Sequence, residues 1–185
     1  MIITIAGMSG SGKSTVGKFL AERLGLKKYS MGDLRRKMAS DRGMTIAELN
    51  KLGEKEGWTD KDADDYQKNV LSKEDDFVID GRLSWFFIPD SIKVFLDVDP
   101  KIGAERIFLE QRGAERGEKK WKSVEEVEKF NEERLKSDIK RYEKLYGINP
   151  YNKENYDMIM DTSDMAIDEM NNNILKAIKK FAEQN

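Results

Sequence analysis

The chain has 185 residues, enough for one domain with a useful core but not for two large ones. Its 33 basic and 35 acidic side chains nearly cancel to a net charge of −2, which excludes a general nucleic-acid-binding surface. It has neither cysteine nor histidine, which excludes disulfides, thiol catalysis, cysteine zinc sites and the usual general base, but not phosphoryl transfer, a reaction driven by positioning and charge neutralisation.

The apolar run Ile2 to Ala6 reads as a first strand, and no run in the chain is long and apolar enough to span a bilayer. Met1 leads straight into that strand without a basic, apolar leader, so a cytoplasmic protein is expected. Directly after it comes Gly7-Met8-Ser9-Gly10-Ser11-Gly12-Lys13-Ser14-Thr15, with the glycine and Lys-Ser spacing of a phosphate-binding loop between strand and helix. The glycines let the backbone approach phosphate oxygens, Lys13 can bridge the β and γ phosphates of a nucleoside triphosphate, and the Ser14 hydroxyl can reach Mg²⁺. A helix from Lys13 to Leu24 follows, with Val16, Phe19, Leu20 and Leu24 on one side and Gly25 as its stop.

Lys28-Tyr29-Ser30 is a weak second strand, and a helix starting after it aims Arg35 or Arg36 at the crevice beyond the strand ends. Arg36 is the expected phosphate contact and Arg35 a solvated neighbour. Residues 33 to 72 are polar and helical, with a capping box at Thr45 to Glu48 and an acidic stretch from Asp60 to Asp65, and read as a small helical insertion. Asp76 to Asp80 is a third strand, ending in Asp80-Gly81-Arg82. There Asp80 is either a turn residue or a holder of Mg²⁺ through its water shell, and Arg82 a grip for an acceptor phosphate. Trp85, Phe86 and Phe87 read as packing residues, and Ile92 to Leu96 as a fourth strand.

The stretch Gly113 to Lys122 is too polar for a core and reads as a mobile flap between two long helical patterns. A second capping box at Ser123 to Glu126 opens a helix that runs to Tyr146, before Gly147 and Pro150. On that helix Arg134 and Arg141, seven apart with Asp138 between them, share one face, which is either a salt-bridged exposed surface or a clamp facing the cleft. Met158 to Asp161 is a fifth strand, and Ile167, Met170, Ile174, Ile178 and Phe181 form the packing face of a last helix. Strands alternating with helices make this an α/β chain with a parallel sheet.

Beyond this residue-level reading, the chain resembles the nucleoside monophosphate kinases, and most closely the archaeal-type cytidylate kinases. The likeness runs nearly end to end through Gly-x4-Gly-Lys-Ser-Thr, Tyr-Ser-Met-Gly-Asp-Leu-x-Arg-Lys-Met-Ala, Arg-Gly-Met-Thr, Asp60-x3-Asp64, Asp80-Gly-Arg-Leu, Arg106 and Ser137-Asp138-x2-Arg141-Tyr142-x2-Leu145-Tyr146-Gly147. The resemblance implies a three-layer α/β/α P-loop fold with a five-stranded parallel sheet, a monophosphate-binding insertion over residues 33 to 72 and a short lid over 107 to 135. It implies Mg²⁺-dependent transfer from ATP to CMP or dCMP by a monomer. ATP would lie on Gly7 to Thr15 with Arg106 and Arg112, the monophosphate on Ser30, Arg36 and Arg82, and the transferring group between Arg82, Arg134 and Arg141. Asp60, Asp64 and Gln67 would read the cytosine edge. The chain departs from the family pattern at Asp161, where Asn is expected, and at Arg82-Leu83-Ser84-Trp85-Phe86-Phe87, where small residues are expected.

Other small-molecule P-loop kinases, acting on AMP, UMP or an alcohol such as shikimate, are the rival reading. An alcohol acceptor needs a carboxylate base, and the triple-glycine acceptor loop of shikimate kinases is absent. A GTP-dependent switch is the reading from another class, since Asn152-Lys153-Glu154-Asn155 resembles a guanine-reading motif but lacks its final Asp. A nucleotide-binding module without catalysis is the third.

Overall fold

The strands β1 (Ile2–Gly7), β2 (Lys27–Ser30), β3 (Phe77–Asp80), β4 (Ile92–Asp97) and β5 (Met158–Asp161) pair in parallel in the order β2-β3-β1-β4-β5. The computed structural model describes residues 1–53, 55–56, 58–69, 71–110 and 121–184, apart from the side chains of residues 58 and 60. All four residues of β3 and the last five of β1 are buried, because both faces of the central strands are covered. The edge strand β2 instead exposes Lys27 and Lys28, charges that discourage pairing with another chain.

On one face, α1 (Lys13–Leu24) and the last helix, α8 (Ile167–Gln184), pack Val16, Leu20, Met170, Ile174 and Ile178 on Ile3, Ile5, Val78 and Val94. Ile167 is 58% exposed, so the apolar face of α8 begins at Met170 and not, as the spacing implied, one turn earlier. The other face carries α2 (Met31–Ser40), α4 (Trp58–Asn69) and the short α5 (Ser84–Phe87), which close over Phe77, Ile79 and Ile88. This is the expected three-layer α/β/α arrangement.

Between α2 and α4 lies α3 (Ile46–Gly53), whose capping box is closed as expected: Glu48 N donates to Thr45 Oγ1 at 3.2 Å, and Thr45 N to Glu48 Oε2 at 2.8 Å. Arg35 is not the solvated residue expected of it. It is 8% exposed and donates to the Thr59 carbonyl and to Asn50 Oδ1, both at 3.0 Å, tying α2 to α3 and α4. One residue is about 100° of helix rotation, enough to send Arg35 inward and leave Arg36 facing elsewhere.

Past β4, α6 (Pro100–Glu110) packs on α7 (Val124–Tyr146). Residues 113–120 of the expected flap lie outside the described residues, but Trp121 does not belong to a polar flap. It is buried between Ala104, Val127 and Phe130. At the other side of α6, Gly103 touches the phosphate loop, where a Cβ would lie 2.5 Å from the Ser9 carbonyl oxygen. Gly103→Ala is therefore expected to destabilise the fold by about 1–3 kcal/mol through overpacking. Because the displaced neighbour is the loop, a raised KM for ATP should accompany the loss, checked by urea unfolding alongside initial-rate kinetics.

Candidate active site

The phosphate loop takes its shape from the register of the sheet. Gly7 pairs with Leu96, and Met8 N donates to the Leu96 carbonyl at 3.0 Å, so the chain must turn sharply off β1. Gly7 does this at φ 141°, and a Cβ there would lie 2.0 Å from the Leu96 oxygen, which excludes any other residue. Gly12 then caps α1 without a side-chain hydrogen bond, so no side chain competes with an anion for the first-turn N–H groups at Lys13, Ser14 and Thr15. Lys13 Nζ donates to the Met8 carbonyl at 2.5 Å, which holds the ammonium over the loop.

One open cleft is lined by Gly7, Ser9, Gly10, Gly12, Lys13 and Ser14 of the loop, Arg35 and Arg36 of α2, Asp64 and Gln67 of α4, Asp80 at the end of β3 and Arg82 just after it, and Arg134 of α7. Eight side chains separated by up to 121 positions, Lys13, Ser14, Arg36, Asp64, Gln67, Asp80, Arg82 and Arg134, thus meet in one place. The remaining expected site residues sit around it. Met8 lines an adjoining hollow with Glu128, Glu132 and Tyr151, Ser11 is fully buried beneath the loop, and Thr15 is half-buried on α1. Ser30 caps α2 and donates to Asp80 Oδ1 at 2.8 Å. Arg106 donates to the carbonyls of Thr162 at 2.7 Å and Ser163 at 3.0 Å, on the loop after β5 that also touches Ser11. Arg112 and the side chain of Asp60 lie outside the described residues.

Arg36 forms an ion pair with Asp33 one turn back and keeps 16% of its side chain exposed. Asp80 shares its register position with Ser30, and its second oxygen, Oδ2, is buried with no hydrogen-bond partner and 3.9 Å from Lys28 Nζ. A buried carboxylate oxygen left that way, beside Lys13 and Ser14, suits a hydrated cation.

Asp138 gives the site its rigidity. It is 1% exposed and binds Arg82 Nε and Arg141 Nη2 with its two oxygens, while the Tyr151 hydroxyl donates to Oδ2 at 3.0 Å. Arg82 also donates to Tyr151 Oη at 3.0 Å, and its carbonyl accepts from Trp85 Nε1 at 3.1 Å. Burial alone would raise the Asp138 pKa, but Arg82, Arg141 and Arg134 outweigh it and hold the carboxyl below its ordinary range. Arg82 is likewise held charged: burial disfavours its cation, yet Asp138 pushes its pKa above the ordinary value. Burial pushes the Tyr151 phenol up to about 12, so it stays a donor. The Arg134–Arg141 face is therefore no exposed salt-bridged surface. Arg134 lines the cleft, whereas Arg141 is 3% exposed and committed to Asp138, with Tyr142 under its guanidinium at 5.3 Å. Tyr151 was not foreseen, because nothing in its local sequence marks it as a partner of a helix residue.

Removing this carboxylate strands two arginines. Asp138→Asn is expected to cost about 3–5 kcal/mol of stability at neutral pH, measured by urea unfolding. A carboxyl whose folded pKa lies below its unfolded value of about 3.9 stabilises above that value and loses the contribution as pH falls through the folded pKa. The gap between the two proteins should accordingly close below about pH 4.

The model of the cytidylate kinase-like family matches residues 2–164. The cytidylate kinase of Natronomonas pharaonis is 35% identical over 184 residues, 98% of this chain and 91% of its own. That of Archaeoglobus fulgidus is 36% identical over 180 residues, 97% and 95% of the two chains, and that of Methanopyrus kandleri 33% over 195 residues, 100% and 96%. Among solved structures, an uncharacterized protein from Eubacterium ventriosum aligns with a TM-score of 0.68 at 20% identity, covering 97% of this chain and 98% of its own. A shikimate kinase from Acinetobacter baumannii aligns with a TM-score of 0.60 at 20% identity, covering 97% and 93%. At that identity the two structures share the fold. Matched by the family model from β1 to the loop after β5, and by relatives along nearly their whole length, this chain belongs to the cytidylate kinase-like family.

Proposed function

We propose that the protein is a cytidylate kinase that transfers the γ-phosphoryl group of ATP to CMP or dCMP. One observation carries this reading: the phosphate loop opens into the same cleft as two cationic groups, Arg36 and Arg82, and a buried carboxylate–amide pair, Asp64 and Gln67. The first set suits a triphosphate, the second an acceptor phosphate, and the third a polar base edge.

In the reaction, a phosphate oxygen of the acceptor bonds to the γ-phosphorus as its bond to the β-phosphate oxygen breaks, and ADP leaves. The acceptor phosphate has a second pKa of about 6 and is dianionic at neutral pH, so the absence of histidine is no obstacle. Lys13 holds the β and γ phosphates, Arg36 and Arg82 hold the acceptor and offset the repulsion between two anions, and Arg134 faces the charge that spreads over the transferring group. Arg141 and Asp138 keep Arg82 in place, and Arg106 and Arg112 serve the donor side. Ser14 directly, and Asp80 through water, would hold Mg²⁺, which supplies charge neutralisation at the β and γ oxygens. The same reading has residues 33 to 72 as the monophosphate-binding insertion and 107 to 135 as a short lid closing over the substrates, in a monomer working in the cytoplasm. Among the described residues no helix is long and apolar enough to cross a membrane.

The test is ADP release from Mg-ATP with CMP, dCMP, UMP, AMP, GMP and shikimate offered separately. Turnover should be highest with CMP and dCMP, and Lys13→Ala should lower it by on the order of 10³-fold with the fold intact. Preference for AMP or shikimate would reassign the acceptor, and silence with all six would leave a binding protein.

A further inference from the structure

At the end of the cleft assigned to the base, four side chains from three helices form a single hydrogen-bonded row. Tyr146, in the last turn of α7, donates its hydroxyl to Asp64 Oδ2 at 2.7 Å. Gln67 Nε2 donates to the other oxygen, Asp64 Oδ1, at 3.4 Å, and Ser84 Oγ donates to Gln67 Oε1 at 2.6 Å. Asp64, Gln67 and Ser84 are 5%, 3% and 0% exposed, so water does not readily substitute for any partner.

The row has only one polarity. Turning the Gln67 amide over would set its oxygen against Asp64 Oδ1, two acceptors facing each other, so the amide nitrogen must lie on the Asp64 side and the oxygen on the Ser84 side. A carboxylate accepts only, which obliges Tyr146 to donate. Aromatic packing keeps Tyr146 in place to do so, since Phe86 and Phe87 of α5 lie against its ring with centroids at 5.8 and 5.5 Å. With each end held, Asp64 presents acceptor oxygens to the cleft and Gln67 carries a second N–H. An acceptor beside a donor complements the exocyclic amine and ring N3 of cytosine, and opposes the carbonyl and N3–H of uracil.

We propose that Tyr146 and Ser84 are positioning residues that hold Asp64 and Gln67 in this orientation and thereby set the preference for a cytosine over a uracil monophosphate. The proposal rests on the reading that Asp64 and Gln67 face the base. It makes the aromatic departure after Leu83 functional, since Ser84 orients Gln67 while Phe86 and Phe87 brace Tyr146.

The experiment measures kcat/KM with CMP and with UMP for the full-length wild type, Tyr146→Phe, Ser84→Ala and Asp64→Asn, together with the KM for ATP. Tyr146→Phe keeps the ring and Ser84→Ala removes a single atom, so the two ends are tested independently. Each should lower the CMP-to-UMP ratio by roughly ten-fold while the KM for ATP stays within about two-fold. If Asp64→Asn shifts the ratio and neither end variant does, the locking role is overturned and the base reading stands. If none of the three shifts it, the base is read elsewhere and both fail. Equal losses on CMP and UMP mean a merely structural role and also overturn the proposal.

Discussion

A buried carboxylate cannot stand alone, and this site is arranged around that constraint. Asp138 is surrounded by charge it must neutralise and by charge that must neutralise it: remove the arginines and the carboxylate is stranded, remove the carboxylate and Arg82 and Arg141 repel each other across a low-dielectric gap. Its stabilisation of the fold is one consequence. The other is geometric, because Arg82 follows the end of β3, Arg141 and Arg134 ride on α7, and Tyr151 follows that helix, so one residue ties the loop after an interior strand to the long helix. A cation offered to a phosphate is worth most when it does not have to reorganise at the moment of reaction.

The same economy governs the other end of the cleft. Tyr146, about two turns beyond Asp138 on α7, reaches Asp64 on α4, so the helix that carries the phosphate clamp also touches the pair assigned to the base. Arg35, turned inward, braces α2, α3 and α4 into a single insertion, and it lines the cleft together with Arg36. On the donor side, Gly7 and Gly103 let the sheet and α6 approach the phosphate loop so closely that no methyl group fits between them. Acceptor and donor walls are thus both built on contacts that tolerate little change in size, which suits a reaction carried by position and not by a proton-transfer group.

Much of this was legible in the chain. The phosphate loop declared itself because its chemistry demands residue types at fixed local spacing, and four of the five strands were readable from short apolar runs, while the polar edge strand β2 left only a weak trace. The two capping boxes also lay where the sequence put them, although Glu126 reaches Lys122 N at 2.8 Å in closing the second. What failed depends on depth and rotation. Nothing local distinguishes Arg35 from Arg36, since the phase of α2 is set by Asn50 and Thr59 further along. Trp121 sits in a polar stretch, and only the approach of α6 and α7 buries it. Asp138 was visible as one charge among many on α7, but Arg82 lies 56 positions before it and Tyr151 lies 13 after it, and neither distance leaves a periodic trace.

A preorganised charge clamp is tested most directly by its affinity for a transition-state mimic. Calorimetric titration of the wild-type protein with Mg-ADP and CMP, with and without aluminium fluoride in place of the transferring group, compares the ground state with a planar, charged analogue. Binding tighter by at least about 100-fold with the fluoride present is the predicted result. Equal affinity in the two titrations would mean that Lys13, Arg82 and Arg134 recognise bound nucleotides without favouring the transfer between them, and would contradict catalysis by positioned charge.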